Sequence, residues 1–271
     1  MRTSPVAASM TAGLFGLSAA KCPGNIVVTV VRNSASELRL KAKRYSSDVH
    51  FDRFVELVGT RGSVVPLDEV LAIICHFADP TIHPSQVISD LDQLAGKTAA
   101  TTATELMSEL FGPSGFTGNT MSYDDPANSY LHLVLARKLG IPITLCAVAM
   151  EVSRRIGVDI VGVGMPGHFM CRSMDGDRHF FDPFHSPNPL TAHDCRRLYE
   201  NLTQLDNWSA EFLEPTDARM MVIRVLGNLK SIFRRRSDVA NLRWVMRLRS
   251  AIPEISAVES VEFAQLVRNS N

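Results

Sequence analysis

Three side chains in the middle of the chain could together carry acyl chemistry: the thiol of Cys146, the imidazole of His168 and the carboxylate of Asp182. A thiolate attacks a carbonyl, an imidazole takes and returns the proton, and a carboxylate holds the imidazole in register. A cysteine is nucleophilic only as the thiolate. The first turn of a helix favours that form, because its unpaired N–H groups and its dipole stabilise an anion. With Thr144 as N-cap, Cys146 becomes the second residue of a helix, on the flank of its apolar face. From there it would look along a helix–sheet boundary. Cys146 also has a plainer reading, as a small buried core residue.

His168 opens a strand-like run at 167–172, and Asp182, followed by Pro183, closes a second run at 178–181. Asp175 and Gly176 lie between them as a hairpin turn. Register decides whether the two side chains meet. A two-residue loop pairs Phe169 with Asp182 and sends the carboxylate to the other face. A three-residue loop, or one bulge, sets Asp182 across from His168. Both registers are open at the level of sequence. Without a site, His168 would be a histidine hydrogen-bonded under a loop and Asp182 a turn former before proline. His168, His179, His185, His193, Asp182 and Cys171 crowd this segment, but their spacing matches no standard zinc pattern. Neither a metal nor another cofactor is expected.

The elements that must position these groups can be read from periodicity. Asp125 and Pro126 suit an N-cap and a first helical residue, with Leu131, Val134, Leu135 and Leu139 as the buried stripe. Gly140 ends that helix and Pro142 stops its continuation. Asn128 and Ser129 fall on it, where they either line a cleft or cap and pack. The next helix runs from Thr144, itself a candidate binding residue, through Leu145, Val148, Val152 and Ile156 to Gly157. Ile143 and Val148 form its hydrophobic staple. Strands follow at 160–164, 167–172 and 178–181. Helix, helix, strand and hairpin is an α+β order, with helices packed on an antiparallel sheet.

Upstream, four short amphipathic helices occupy about 50–112: one near Phe51, one from Pro66, one from Pro84 and one over 102–111. Downstream, Met220, Ile223, Leu226, Leu229 and Phe233 mark a helix, and Leu242, Val245 and Leu248 mark its antiparallel partner. The arginines at 234–236, 243, 247 and 249 read as a solvated helix face. Lys+Arg and Asp+Glu stand at 28 each, so charge offers no case for a nucleic-acid or membrane partner. The five cysteines have no CxxC pair and fit a reducing compartment. No apolar run reaches the 18 residues that suggest a membrane span. Residues 1–20 look somewhat like a signal peptide but are rich in Ser, Thr and Gly, and read as a disordered extension. A short strand at 26–31 is a minor expectation. The protein is expected to be cytoplasmic.

The runs GFTGN (115–119), DDPANSYLHLVLARKLGIPITL (124–145), EVSRRIGV (151–158), VGVGMPGHFMCR (161–172) and FFDPF (180–184) resemble the bacterial SirB-one family of transglutaminase-like proteins. The resemblance spans about 50–250, and PGHF with FxDPF at this distance is its specific part. It implies a papain-type cysteine-hydrolase core at 113–215. Before that core would come an extension at 1–49 and a helical unit at 50–112, and after it a tetratricopeptide-like tail at 216–271. It places the family's histidine and aspartate on His168 and Asp182. It carries no assured cysteine, since Ser or Thr often stands near the start of the GIPIT helix in that family, where this chain has Thr144 and Cys146. The expected function is therefore a regulatory or interaction module with a degenerate site, meeting a protein partner through its helical flanks. The alternative is a cysteine hydrolase or acyltransferase on an amide or peptide, using Cys146, His168 and Asp182.

Overall fold

The structure, a computed structural model, describes residues 49–269 apart from Asp177. The N-terminal extension, the signal-like stretch, the strand at 26–31 and Cys22 lie outside the described residues. Helix α1 covers 49–58, followed by α2 (Leu67–Ala78), α3 (Pro84–Ala95) and α4 (Ala103–Phe111). The start of α4 shows its sequence logic directly. Thr102 accepts from the Glu105 N–H and the Glu105 carboxylate accepts in return from the Thr102 N–H, a reciprocal cap.

Helix α6 (Pro142–Ile156) is the element around which the rest is arranged. It packs against α2, α3 and α4, against the helices α5 (Leu131–Arg137) and α8 (Ala218–Arg235), and against two strands of the main sheet. Eleven of its residues are buried, on every face of the helix, as suits a helix enclosed by a core rather than lying on its surface. Its start differs from expectation. Ile141 is the N-cap residue and Pro142 the first helical residue, so Thr144 is the third and Cys146 the fifth. Pro142 does not merely stop the preceding helix; its fixed φ suits the first position of the new one. The Thr144 hydroxyl accepts from the Ile141 N–H at 3.1 Å.

The helix expected from Pro126 to Gly140 is divided. Asp125 caps a single 3-10 turn, Pro126–Ser129, through the Ala127 N–H. Helix α5 then runs only over Leu131–Arg137, with Lys138 in the left-handed region. Leu139 and Gly140 form β2, paired in parallel with β1 (Thr117–Gly118). The break follows from side-chain bonding. The Asn128 side-chain amide donates to the carbonyls of Ser122 and Tyr123, and the Asn128 backbone carbonyl accepts from the Thr144 hydroxyl at 2.7 Å.

The main sheet has the order β6-β5-β4-β3-β7 and every pairing in it is antiparallel. Its strands are β3 (Ile160–Val163), β4 (Met170–Ser173), β5 (Phe180–Asp182), β6 (Ser186–Leu190) and β7 (Pro215–Thr216). Strands β6 and β7 and the helix α7 (Ala192–Thr203) between them have no counterpart in the sequence reading. The sheet separates two apolar layers. Phe169, Cys171 and Phe181 join the main core with Leu145, Val148, Leu91, Val225 and Val245. Val163, Met165, Met170 and Phe180 pack with Cys195 and Tyr199 of α7.

The tail forms three helices, α8 (Ala218–Arg235), α9 (Val239–Ser250) and α10 (Ser256–Asn269). Of the expected α8 stripe, Leu226, Leu229 and Phe233 are buried and Ile223 packs against the core, but Met220 is exposed, and Met221, Val222 and Val225 widen the buried face. The arginines are not simply a solvated face. Arg249 is buried and bonds to Glu259 of α10 at 2.7 Å, and Arg235 pairs with Asp124 at 2.8 Å. Among the described residues no helix is long and apolar enough to cross a membrane.

Glu259 also accepts from Lys230 at 2.8 Å, so one buried carboxylate joins α8, α9 and α10. Replacing Glu259 with Ala leaves the buried Arg249 without a carboxylate, while Lys230 keeps Glu262 at 2.8 Å; stranding a buried cation typically costs about 3–5 kcal/mol. The expected outcome is a much lower urea midpoint for Glu259→Ala than for a control such as Val258→Ala at an exposed position of the same helix.

Candidate functional site

The site grows from a tight turn after β5. Asp182 is followed by Pro183, which presets a turn, and the His185 N–H closes it on the Asp182 carbonyl at 3.1 Å. The Phe184 N–H donates to Asp182 Oδ1 at 3.1 Å. A register shift at Phe181 and Asp182 lets β5 pass into β6 at this point. The turn swings the His185 ring back over the aspartate, and His185 Nδ1 lies 2.7 Å from Asp182 Oδ2. His168 Nε2 reaches the same oxygen at 2.9 Å.

The strand register that brings His168 there is neither of the two considered from sequence. Cys171 pairs with Phe181, and Ser173 bonds to His179 across a connection longer than the two- or three-residue loops expected. Continued, this register sets Asp182 opposite Met170 and diagonal to His168. His168 and Met170 are two residues apart and share a face, and diagonal neighbours are within reach of long side chains. His168 itself precedes β4 instead of opening it.

Asp182 and His168 are buried, whereas His185 is half exposed. Burial alone would raise the Asp182 carboxyl. Hydrogen bonds and positive charge from His168 and His185 outweigh burial and bring it to about 2. The bond to Asp182 raises His185, against an opposing effect of burial. An ionised carboxylate only accepts, so His168 Nε2 is the donor of its bond to Asp182, and Nδ1 lies on the side of the ring away from that bond. Among the described residues His168, Asp182 and His185 are the group whose ligand atoms, within 4.8 Å of one another, could hold a metal. Both ring nitrogens already face one carboxylate oxygen, an arrangement that hydrogen bonding satisfies.

Cys146 is fully buried in the second turn of α6, its thiol donating weakly to the Phe169 carbonyl at 3.8 Å, and the Cys171 thiol donating to the Cys146 carbonyl at 3.9 Å. Burial, followed by the neighbouring Cys171 and the charge of Asp182, pushes the thiol well above its ordinary range. The favourable helix terminus acts within the first turn, and the fifth position lies beyond it. Asn128, Ser129 and Thr144 are buried too. Asn128 Oδ1 accepts from Arg137 at 2.7 Å and from Asn119 at 3.0 Å, so this residue ties the 115–145 segment together. Thr144 bonds to the Asn128 carbonyl. Asn128 and Thr144 thus form a structural knot, the buried Ser129 hydroxyl makes no hydrogen bond among the described residues, and none of the three lines the cleft next to His168.

The cleft next to His168, about 230 Å³, is lined by Tyr123, Pro142, Ile143, Gly167, Phe169, Arg224 and Asn228. The start of α6 contributes Pro142 and Ile143 to this lining. Arg224, Asn228 and Tyr123 were not picked out from sequence. Arg224 and Asn228 come from α8, more than fifty residues from His168, and no local pattern distinguishes them. His185 did carry a signal, because Asp-Pro-x-His suits a turn that returns the fourth side chain toward the first.

A family model described as the transglutaminase-like superfamily matches residues 84–227. The chain belongs to that superfamily. It is similar to the UPF0162 protein of Xylella fastidiosa (strain 9a5c), 40% identical over 129 residues, covering 46% of each chain. It is also similar to the UPF0162 protein of Pseudomonas aeruginosa, 30% identical over 162 residues, which are 56% of this chain and 59% of that one. Human F-box only protein 21 shares 26% identity over 188 residues, 62% of this chain and 28% of the other. The chain spans about half the length of the Xylella relative. No solved structure matches it. The superfamily match includes α6, the sheet and the His168–Asp182 pair, and it ends within α8 just after Arg224.

Two predictions follow from this geometry. Asp182, lowered in the folded state, contributes stability that is complete above its unfolded value of 3.8 and is lost as pH falls through 3.8 toward about 2. That loss, about 2 kcal/mol at one pKa unit per 1.36 kcal/mol, is expected in acid urea titrations of the wild type and not of Asp182→Asn. His185 is raised, so its contribution has the opposite sign: present below 6.5 and lost as pH rises through its folded value. In the second prediction, a Cβ at Gly118 would lie 2.5 Å from the Phe184 carbonyl and ring. Phe184 in turn packs edge-on against His168 and Tyr123. Gly118→Ala should cost about 1–3 kcal/mol by overpacking and shift the His168 ring resonances in an NMR spectrum.

Proposed function

We propose that this transglutaminase-like chain is a binding module of the SirB-one type, regulatory in role, which uses the cleft at His168 and Asp182 to recognise a ligand or partner without cleaving it. The observation that carries this reading is the position of Cys146: buried, in the second turn of α6, with its thiol held protonated and turned to the Phe169 carbonyl. The cleft-facing start of the helix supplies Pro142 and Ile143 in its place. Thr144 is no substitute, since its hydroxyl is buried and committed to the Asn128 carbonyl and lacks an activating base. The match to a small part of human F-box only protein 21 supports a unit that also functions inside larger proteins. A protein partner meeting the helical flanks fits the same reading.

The second reading, a cysteine hydrolase or acyltransferase, is favoured by one observation: the His168–Asp182 bond is formed and borders an open cleft. It requires Cys146 to leave the core and meet His168.

Iodoacetamide labelling of the native protein near neutral pH, read residue by residue by mass spectrometry, separates the two. The binding module predicts that Cys146 is protected to the same degree as the buried Cys75 and Cys171, and that His168→Ala leaves its rate unchanged. Cys146→Ala should then cost about 1 kcal/mol in urea unfolding, as for a small buried truncation. Selective labelling of Cys146 that disappears in His168→Ala would instead establish the hydrolase.

A further inference from the structure

Arg224 sits in the wall of the His168 cleft without a carboxylate. Its Nη2 donates to the His168 carbonyl at 2.8 Å, and its guanidinium carbon lies 5.1 Å from the centre of the Phe169 ring. Burial pushes its pKa down, against partial support from Tyr123 and Cys146. Both of those groups are themselves raised, mainly by burial, and are therefore neutral near pH 7. Several other partly buried cations do meet carboxylates within the fold. Arg155 meets Asp68, Glu151 and Asp92; Lys230 and Arg249 meet Glu259; and Arg137 meets Asp125. A charge withdrawn from water without an ionic partner is costly. Here it faces a cleft whose other polar side chains are Tyr123, Asn228 and His168, with no acidic residue among the lining.

We propose that the cleft binds a carboxylate, with Arg224 as its anchor and His168, Asn228 and Tyr123 as neighbouring hydrogen-bonding groups. One of the five guanidinium N–H groups is committed to the His168 carbonyl, which fixes the plane of the fork, and a planar fork matches a carboxylate. The volume of about 230 Å³ lies below the range of sites for drug-sized ligands and suits a carboxylate with little more than one residue behind it. A small free carboxylate and the C-terminus of a peptide share this chemistry. The inference rests on the binding-module reading and names the chemistry of its ligand.

The test is an amide NMR titration of the full chain with three probes at constant ionic strength: N-acetylglycine, a short peptide with a free C-terminus, and the same peptide amidated. Saturable shifts at Ile143, Gly167, Phe169 and Asn228 with either free carboxylate are expected. They should weaken by about tenfold or more, the loss of roughly 1.4 kcal/mol, in Arg224→Gln. Arg224→Lys, which keeps the charge and loses the fork, should fall between; if the Gln variant does not fold, a Lys variant binding as well as wild type overturns the proposal. Comparable binding of N-acetylglycine and peptide indicates a small ligand, and tighter binding of the peptide indicates a chain terminus. No saturable shift, or equal binding of the amidated peptide, overturns the carboxylate site and leaves the binding-module reading standing. Peptide breakdown that stops in Cys146→Ser, with saturable shifts retained, overturns the binding-module reading and leaves the carboxylate site.

Discussion

The enclosure of α6 is the constraint on which the rest depends. A helix buried on every face must be apolar on every face or must satisfy each polar group locally, and Pro142–Ile156 does both. Its one buried acid, Glu151, is bonded to Arg154 and Arg155 a turn further on. Its hydroxyls turn back onto carbonyls, Thr144 to Asn128 and Ser153 to Met150. Helices from both flanks and the sheet between them complete this enclosure, so the N-terminal helices, the central segment and α8 and α9 share one apolar core. The same enclosure determines the state of the thiol. Position 146 faces Phe169 and Cys171, in surroundings where a thiolate is strongly disfavoured.

Around the sheet edge the logic is polar. One carboxylate oxygen of Asp182 serves two imidazoles and the other serves a backbone N–H, which accounts for an ionised acid that is nearly inaccessible to solvent. The oxygen shared by His168 and His185 orients the buried ring from its Nε2 side. The result is a buried histidine, held by an ionised carboxylate, bordering a small cleft whose lining includes the cationic Arg224 and no acidic residue.

Much of this was legible from sequence because it is set by neighbouring residues. A helix over 102–111 was expected and is found over Ala103–Phe111, Gly157 ends α6 in the left-handed region, and Asp125 caps as expected, though it caps a 3-10 turn and not the long helix. The α+β order follows from the change in periodicity after Gly157. The meeting of His168 and Asp182 was anticipated through the resemblance carried by PGHF and FxDPF, though by neither register considered: the sequence left both loop lengths open, and the observed connection is longer than either.

The tertiary structure alone decided which of these residues are accessible and which charges lack partners. The Leu139–Gly140 segment became a strand because Thr117–Gly118 lies beside it, a pairing no helical period can express. Cys146 moved from the first turn to the second because Pro142 is itself helical, and it is sealed by residues 23 and 25 positions away. Arg224 became part of the cleft because α8 packs beside α6 and brings the guanidinium to the His168 carbonyl, although its own surroundings in sequence mark it only as one more helical arginine. Caps, turns and periods act over a few residues, so the sequence states them plainly. Burial and electrostatic neutralisation sum over groups that the chain brings together from far apart, and they exist only once it has folded.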